Sequence, residues 1–374
     1  MNITMLTNSK GGVFSFTMHL TDQLCQRGVD FNVYFLEKSG SSDQFAKKRN
    51  RIFGVKNLTA FGFIPNIASF VSFFFRDHPD LVHVNFSTLG LLAVFKKMVT
   101  NTPFVLTLHG VPQPWFESSF LEKIKYTLEL ILLPYVASKA SSIVAISKYV
   151  KGKLKNDFGL ESEVIYHGTK LLKLENSRKQ QIRRELGYAE KDFIGLFVGK
   201  LHPYKDPQTL VTATKKVSQV MEDFHITIIG KGPLKRSVSQ RVLNLDLSRH
   251  VDLKEDVPTS DLHKHYAAAD FFVLTSKSEA FGIVLLEAMA MGLPIIASDS
   301  GATQEVVNGA GVFYKTGNPS ELAKKILILI QDKNLKLELS KIGPIRVAKS
   351  FSVENMIMKY LQLFKKVVKE NKTI

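Results

Sequence analysis

Two glutamates, Glu279 and Glu287, stand in a stretch of the chain that is otherwise small or apolar. Glu279 comes just before a predicted helix, and Glu287 lies within that helix among leucine, alanine and methionine. A buried carboxylate without a polar partner is costly, so each glutamate is expected to meet one, either in the protein or in a ligand. Because carboxylate oxygens accept hydrogen bonds, the pair suits vicinal hydroxyls such as those of ribose. The unpaired N–H groups at the helix start, from Gly282 to Val284, would bind an anion or a sugar hydroxyl.

Two lysines, Lys200 and Lys205, stand on the loop that follows the predicted strand Phe193–Val198. The carboxyl ends of parallel strands form the usual ligand side of a sheet. Two cations at this edge could stabilise the negative charge that builds up on a leaving phosphate. The alternative is an ordinary solvated loop, because lysines are common on loops.

The segment Ser9-Lys10-Gly11-Gly12 follows the first predicted strand and precedes a helix. Paired glycines allow close backbone approach, and the amino end of a helix attracts an anion such as phosphate. The dinucleotide fingerprint G-x-G-x-x-G is absent, because Phe14 stands within its continuation. A phosphate contact at Gly12 and a simple tight turn both remain open.

His109 ends the predicted strand Phe104–Leu108 and is followed by a glycine. That position would direct the imidazole towards a ligand at the sheet edge. A lone histidine is more often a hydrogen-bonded structural residue, so both interpretations stay open on the residues alone.

Strand-like apolar runs alternate with helical patterns along the whole chain, which predicts an α/β class with parallel sheets. The expected architecture is two doubly wound, Rossmann-like domains that face each other across a cleft, where ligands bind beyond the strand ends. The predicted domains are residues 1–170 and 171–350, followed by a helix of residues 351–374 that packs back towards the first domain. Other predicted elements are strand Glu163–Tyr166, a helix Ser177–Leu186, and a Ser147 cap on the helix after Ile146.

The composition is typical of a folded chain in a reducing compartment. Its 374 residues are 45% hydrophobic and 22% charged, enough for two globular domains. Cys25 is the only cysteine, so no intrachain disulfide is possible. The start lacks the pattern of a signal peptide, and no apolar run is long enough to span a membrane. We therefore expect a cytoplasmic protein.

The formal net charge of +16 favours anionic partners such as phosphorylated substrates, anionic lipid or nucleic acid. Nucleic acid is disfavoured, because the chain has neither a basic and aromatic face nor a recognised module. Aromatic residues close to lysines favour a helix that lies in a lipid interface, although an ordinary core stripe would give a similar pattern. These residues are 47–49, Phe61–Ile64, Phe70, Phe73–Phe75, Lys96–Lys97, Trp115–Phe116, Phe120–Leu121, Lys123 and Lys125.

The two glutamates and the motifs around them resemble the signature of the large retaining GT-B glycosyltransferase family (glycosyltransferase group 1, family four). The resemblance covers nearly the whole chain, and its motifs occur in the family's order. Those that match the acceptor domain are Pro79–Val84 and Leu108–Gly110. Those that match the donor domain are Phe197–Lys205, Ile229–Pro233, Tyr266–Asp270, Glu279–Glu287, Gly292–Asp299 and Glu305.

The resemblance implies a role for each candidate residue. Lys200 and Lys205 would hold the diphosphate of a nucleotide-sugar, and Glu287 would bind the ribose hydroxyls. Glu279 would contact the donor sugar, and His109 would reach it from the other domain. The implied catalytic residues are Glu279, His109 and Lys205, and the implied donor-binding residues are Gly12, Lys200, Lys205, Ala280, Phe281, Gly282, Ile283 and Glu287.

The resemblance also implies the reaction, which is metal-independent transfer of a hexose from a nucleotide-sugar with retention of anomeric configuration. No cofactor is expected, and a UDP-sugar is favoured over a GDP-sugar as the substrate. The acceptor would be a glycan or a lipid-linked molecule in surface polysaccharide or glycoconjugate biosynthesis, which would place the protein peripherally on the inner face of the cell membrane. The alternatives are a nucleotide-sugar epimerase of the same fold and a non-catalytic nucleotide-sugar-binding module.

Five positions depart from the family pattern. Lys200 replaces an arginine, Asn85 a frequent histidine, His167 the usual asparagine, Ala302 the second glycine of a pair, and Glu255 a glycine. A lysine is a point charge where arginine is bidentate, so phosphate geometry at Lys200 is weakened. These departures leave the preferred base and sugar open.

Overall fold

The computed structural model describes residues 1–8, 11–35, 52–57, 59–60, 64–65, 69, 71–117, 119–169 and 179–373. The chain forms two compact units. The N-terminal unit comprises Met1–His167 and Val353–Ile374, and the C-terminal unit comprises Gly168–Ser352. Each unit is built on one parallel sheet with helices around it, which confirms the predicted α/β class.

The N-terminal unit has a seven-stranded parallel sheet. Its strands are β1 (Asn2–Thr7), β2 (Asp30–Phe35), β3 (Ile52–Asn57), β6 (Leu81–Val84), β7 (Phe104–Leu108), β8 (Ser142–Ala145) and β9 (Glu163–Val164). A separate antiparallel pair consists of β4 (Thr59–Ala60) and β5 (Ile64–Pro65). The sheet order is β3-β2-β1-β6-β7-β8-β9, so the strand order reverses between β1 and β6. Strands β6 and β7 are buried along their whole length, as strands covered on both faces must be.

The helices that the structure describes between residues 11 and 158 of this unit include four α-helices, a π-helix and a 3-10 turn. They are α1 (Gly11–Gln26), α2 (Ser87–Thr100), α3 (Phe120–Lys139), α4 (Lys148–Phe158), a π-helix (Ser72–Arg76) and a 3-10 turn (Pro114–Phe116). The last helix of the chain, α13 (Val353–Thr373), also belongs to this unit. Its apolar residues recur at helical spacing and join the core formed by α1 and the sheet: Met356, Tyr360, Leu363, Phe364 and Val367.

The C-terminal unit has a six-stranded parallel sheet. Its strands are β10 (Phe193–Val198), β11 (Phe224–Ile229), β12 (Val251–Lys254), β13 (Phe271–Leu274), β14 (Ile295–Ser298) and β15 (Gly311–Tyr314). The order is β12-β11-β10-β13-β14-β15, so the strand order reverses between β10 and β13. The helices are α5 (Lys179–Glu185), α6 (Pro207–Ser218), α7 (Lys235–Asn244), α8 (Thr259–Ala268), α9 (Ile283–Ala290), α10 (Thr303–Val307), α11 (Pro319–Gln331) and α12 (Lys333–Ser350).

Two predicted elements differ in extent from the structure, and one cap matches. Strand β9 is two residues long instead of the predicted four, because the strand that it pairs with, β8, ends at Ala145. Helix α5 begins at Lys179 within the described residues, and the predicted start at Ser177 lies outside them. Ser147 caps α4 as predicted, since its hydroxyl accepts a hydrogen bond from the Val150 amide at 3.1 Å. Within the described residues, no helix is both long and apolar enough to cross a bilayer.

Candidate functional site

The two loops that leave β10 and β13 meet at the point where the strand order of the C-terminal sheet reverses. Connections from neighbouring strands leave on opposite sides at such a point, which opens a crevice beyond the strand ends. Lys205 lies on the first loop and Glu279 on the second, and both side chains are buried. The Lys205 Nζ atom is 2.5 Å from Glu279 Oε2, and the Ser276 hydroxyl donates to the same oxygen at 2.9 Å. The sheet topology therefore brings together two candidates that are far apart in sequence.

Hydrogen bonds to the backbone join these two loops directly. The Thr275 hydroxyl donates to the carbonyl of Lys205 at 2.8 Å. The backbone amide of Lys277 donates to the carbonyl of Tyr204 at 2.7 Å. The position of Lys205 relative to Glu279 is thus fixed by the main chain as well as by the ion pair.

A third loop, which follows β14, supports the backbone at Glu279 and at Ser276 before it. The hydroxyls of Ser298 and Ser300 donate to the carbonyl of Ser276 at 2.6 Å and 2.5 Å. Gly301 has a φ of +59°, and a Cβ atom there would overlap the carbonyl of Glu279. The first glycine of the family's pair is therefore required by close backbone contact at this position.

Two further glycines allow the Lys200 loop to pack against its neighbour. A Cβ atom at Gly230 would overlap the carbonyl of Gly199, and one at Gly232 would overlap the carbonyl of Leu201. This close approach gives a structural reason for both glycines of the Ile229–Pro233 motif. Lys200 itself is exposed, and its ammonium group has no hydrogen-bond or ion-pair partner among the described residues.

Helix α9 begins directly after the second loop, with Gly282 as its N-cap at a φ of +85°. The Phe281 side chain is buried, and its ring contacts Phe351 edge-on with centroids 5.7 Å apart. In residues 280–283, the main chain is therefore better suited to contact a ligand than the side chain of Phe281 is. The first N–H groups of a helix lack intrahelical acceptors, which suits them to an anion or a hydroxyl.

Glu287 is half-buried on the second turn of α9. The hydroxyl of Tyr266, on α8, donates to Glu287 Oε2 at 2.7 Å. Burial raises the pKa of the Glu287 carboxyl, and the bond from Tyr266 acts in the opposite direction. Both glutamates thus have protein partners, and each uses Oε2 for them. Oε1 of each has no hydrogen bond within the part of the chain that the structure describes.

His109 lies in the N-terminal unit, directly after β7, inside a cluster of aromatic and polar side chains. Its Nε2 is 3.0 Å from Asn85 Oδ1, and its Nδ1 is 3.3 Å from His167 Nε2. The two imidazoles are stacked, and Phe16 contacts both of them edge-on. Desolvation, with His167 as a smaller cause, lowers the pKa of His109 well below its usual value, so the ring is neutral. Asn85 and His167 are two of the five departures from the family pattern, and both contact the same histidine.

Gly12 is exposed in the first turn of α1, which follows β1 at the reversal point of the N-terminal sheet. Ser9 and Lys10 of the same motif lie outside the described residues. Among the described residues, no group of three or more His, Cys, Asp or Glu side chains could hold a metal ion.

The sequence matches known families along most of its length. Residues 178–346 match the family Glycosyl transferases group 1, and residues 10–171 match Glycosyltransferase Family 4. The chain is also 30% identical over 283 residues to an uncharacterized glycosyltransferase of Methanocaldococcus jannaschii, a match that covers 75% of this chain and 73% of that protein. This chain belongs to the group 1 glycosyltransferases. The resemblance to the group 1 glycosyltransferases that the paired glutamates indicated is confirmed.

Two more similarities place the glycosyltransferase among its relatives. It is 26% identical over 315 residues to D-inositol 3-phosphate glycosyltransferase of Salinispora arenicola, a match that covers 78% of this chain and 69% of that protein. Its structure superposes on Anabaena HepE, crystallised with UDP and glucose, with a TM-score of 0.84 at 21% identity. That superposition covers 98% of this chain and 100% of HepE. The GT-B fold class predicted for the glycosyltransferase is confirmed.

Three groups near the predicted site residues of the glycosyltransferase were not found from its sequence. Ser276 and Tyr266 bind the two glutamates, and His167 contacts His109. Tyr266 begins a segment already chosen as a motif, and Ser276 lies three residues before Glu279, so their positions were a usable signal. The partner of His109 had no local signal, because 58 residues separate it from His167.

Substitution of Gly301 by alanine tests whether the third loop positions Glu279 in this glycosyltransferase. We expect Gly301→Ala to lower the free energy of unfolding by at least about 2 kcal/mol, from the left-handed φ and the overlap with the Glu279 carbonyl together. Gly309→Ala is the matched control: Gly309 has a φ of +86°, but a Cβ atom there would meet nothing within 4 Å. Urea unfolding should give about 1 kcal/mol for the control. Equal losses in the two variants would contradict a role for the backbone contact.

Proposed function

We propose that this glycosyltransferase moves a hexose from a UDP-sugar to a glycan or a lipid-linked acceptor, with retention of anomeric configuration and without a metal ion. The observation that supports it best is the Lys205–Glu279 pair at the reversal point of the C-terminal sheet, with Glu287 on the helix that follows. UDP is favoured as the nucleotide because the superposable HepE was crystallised with UDP and glucose. The product would belong to a surface polysaccharide or another glycoconjugate, made on the cytoplasmic face of the membrane.

The roles proposed for the lysines follow from their hydrogen-bonding capacity. An ammonium group has three N–H donors, and Lys205 uses one of them for Glu279 in the described structure. The remaining donors can bind the diphosphate and offset the charge that develops on it as the sugar leaves. The exposed Lys200 would add a second cation at the same loop. Together with the helix N–H groups of α9, the lysines would take the part that a metal ion plays elsewhere.

The glutamates would bind the two sugars of the donor. Glu287 Oε1 would accept hydrogen bonds from the ribose hydroxyls, while Tyr266 holds Oε2 in place. Glu279 Oε1 would contact the transferred hexose, while Lys205 and Ser276 hold its other oxygen. The main chain of residues 280–283 would assist there.

The roles of His109 and Gly12 rest on the family resemblance. Because His109 is neutral, it suits a hydrogen bond with a sugar hydroxyl better than an ionic contact with phosphate. Both ring nitrogens already have partners, so a sugar hydroxyl would replace Asn85 or His167 at one of them. Gly12 would let the main chain of α1 approach the phosphates.

The proposal is tested by incubating the enzyme with a panel of UDP- and GDP-sugars and following nucleotide release with and without candidate acceptors. Acceptor-dependent release of UDP, with an α-linked product from an α-linked donor, is the expected result. A new nucleotide-sugar without nucleotide release would identify an epimerase instead. Nucleotide binding without any turnover across the panel would identify a binding module.

Glu287→Gln is expected to weaken UDP binding roughly tenfold to a hundredfold, because a neutral amide is a weaker acceptor for the ribose hydroxyls than a carboxylate. Titration calorimetry with UDP measures the change. Glu338→Gln is the matched control, since Glu338 is exposed on α12 and its carboxylate has no hydrogen bond or ion pair among the described residues. Unchanged UDP affinity in Glu287→Gln would remove the ribose role.

A further inference from the structure

Helix α3 carries a stripe of exposed apolar side chains that its unit does not bury. Leu121, Ile124, Leu128, Ile131 and Tyr135 are spaced alternately three and four residues apart, and they are between 41% and 72% exposed. This spacing places all five along one side of the helix. A soluble helix normally turns such a stripe towards its core, so its exposure needs an explanation.

The opposite side of the same helix packs into the core of the N-terminal unit. Leu133, Val136 and Ala137 are buried there, and so is Glu129. At about 100° per residue, the centres of the buried and exposed stripes are separated by about 150°. Helix α3 is thus apolar on two opposite sides, and only one of them is used for folding.

Helix α2 extends the exposed apolar surface. Met98 and Tyr135, from α2 and α3, line one groove of about 430 Å³ together with Val94. Lys97 and Lys139 line the same groove, and the Lys97 ammonium donates to the Lys139 carbonyl at 3.0 Å. The groove therefore combines apolar walls with two cations.

We propose that the exposed stripe of α3 and the adjoining groove dock on the surface of an anionic phospholipid bilayer. The five apolar side chains would enter the interface with the helix axis parallel to the membrane, and the groove lysines would contact lipid phosphates. This inference goes beyond the proposed sugar transfer and does not depend on the identity of the donor or the acceptor.

The charges around the stripe favour a bilayer over a second copy of the chain as the partner of this surface. Lys139 lies about 40° from the centre of the stripe and Lys125 about 80°, whereas Glu122 and Glu129 lie at about 120° or more. A symmetric pairing of two α3 helices would bring lysines together at the rim without carboxylates to match them. Lipid phosphates supply the missing negative charge.

Some residues predicted to contact lipid are not accessible in the structure. Lys96, predicted as part of the basic flank, is fully buried, and its ammonium donates to the carbonyls of Phe73, Phe74 and Asp77. Burial lowers the pKa of Lys96, and it acts as a structural cap for the π-helix. Phe73 is likewise buried, so neither residue is available to lipid. Residues 47–49, 61–63 and 70 lie outside the described residues.

Vesicle flotation tests the proposal with the full chain. We expect the protein to float with vesicles of phosphatidylcholine containing a third of phosphatidylglycerol, more at low than at high ionic strength, and not with phosphatidylcholine alone. Leu128→Glu/Ile131→Glu should lower the bound fraction at least about tenfold, because it puts two charges into the stripe. Val220→Glu/Leu243→Glu is the matched control, since these two residues are 70% and 59% exposed in the C-terminal unit. The control should float like the natural protein.

Three results would overturn the proposal. They are failure of the natural protein to float, flotation of the stripe variant like the control, and a dimer in sedimentation that the stripe variant converts to monomer. The last would make the stripe an interface between copies of the chain. Circular dichroism verifies that the variants are folded. UDP release with a soluble acceptor should be equal in both double variants, so a failed flotation leaves the proposed sugar transfer standing.

Discussion

Replacement of Lys205 by methionine is expected to reduce sugar transfer about a hundredfold or more, because the cation that offsets charge on the leaving diphosphate is removed. The same change leaves the Glu279 carboxylate buried without its ion-pair partner. Removing one partner of a buried pair typically costs about 3 kcal/mol of stability. The single variant should therefore lose both activity and stability, which alone does not separate a catalytic role from a structural one.

The double variant Lys205→Met/Glu279→Gln separates the two roles. With both charges removed, no buried charge is left unpaired, so the free energy of unfolding should return to within about 1 kcal/mol of the natural protein. Transfer should stay at the level of the single variant, because neither the phosphate contact nor the sugar contact is restored. Rates of UDP release and urea unfolding, measured on the same preparations, give the two quantities.

Lys191→Met is the matched control for this pair of measurements. Lys191 forms an ion pair with Asp223 at 2.7 Å, but its side chain is 71% exposed. We expect no change in transfer for this variant. Recovery of transfer in the Lys205→Met/Glu279→Gln protein would contradict the phosphate role and leave the pair a purely structural one.

The alternation of strands and helices was enough to predict the fold class, because the pattern is local. The glutamate pair was also visible in the sequence, since a carboxylate among apolar helix residues stands out. The ion pair between Glu279 and Lys205 was not predictable, because it depends on strand order. Lys205 and Glu279 meet only because β10 lies beside β13, although 74 residues separate them.

Several departures from the family pattern become intelligible only through tertiary contacts. Ala302 has a φ of −86°, which any residue adopts, so the second glycine of the pair is dispensable while Gly301 is not. Glu255 forms an ion pair with Lys235 at 2.6 Å. Asn85 and His167 are both within hydrogen-bonding distance of His109. These two departures therefore belong to the same local contact.

A cluster of three histidines in the N-terminal unit, two of them buried, makes its stability sensitive to acid. His83 lies on β6 with its Nε2 2.8 Å from the Thr107 hydroxyl, and burial lowers its pKa to about 3. Burial, with a smaller contribution from His19, also lowers the pKa of His167 to about 3. His109 is shifted in the same direction. In an unfolded chain the pKa of histidine is about 6.5. Between that pH and about pH 3 the unfolded chain therefore binds protons that the folded chain does not.

The sign of the effect follows from this difference in bound protons. As the pH falls below about 6.5, the unfolded state gains protons first, and the free energy of unfolding decreases. Near pH 5.5 the loss is about 1 kcal/mol for each histidine whose folded pKa is far lower. The natural protein should therefore unfold at clearly lower urea concentration near pH 5.5 than near pH 7.5.

His83→Leu isolates one histidine of the cluster. Thr107 keeps a hydroxyl partner in Tyr360 at 3.2 Å, and leucine suits the aromatic surroundings of the replaced ring. This variant should lose about 1 kcal/mol less than the natural protein between the two pH values. His78→Leu is the control, because His78 is exposed and water reaches it in both states. Hydrogen exchange in β6 and β7 would locate the acid-sensitive opening, and an identical loss in all three proteins would mean that the buried histidines do not cause it.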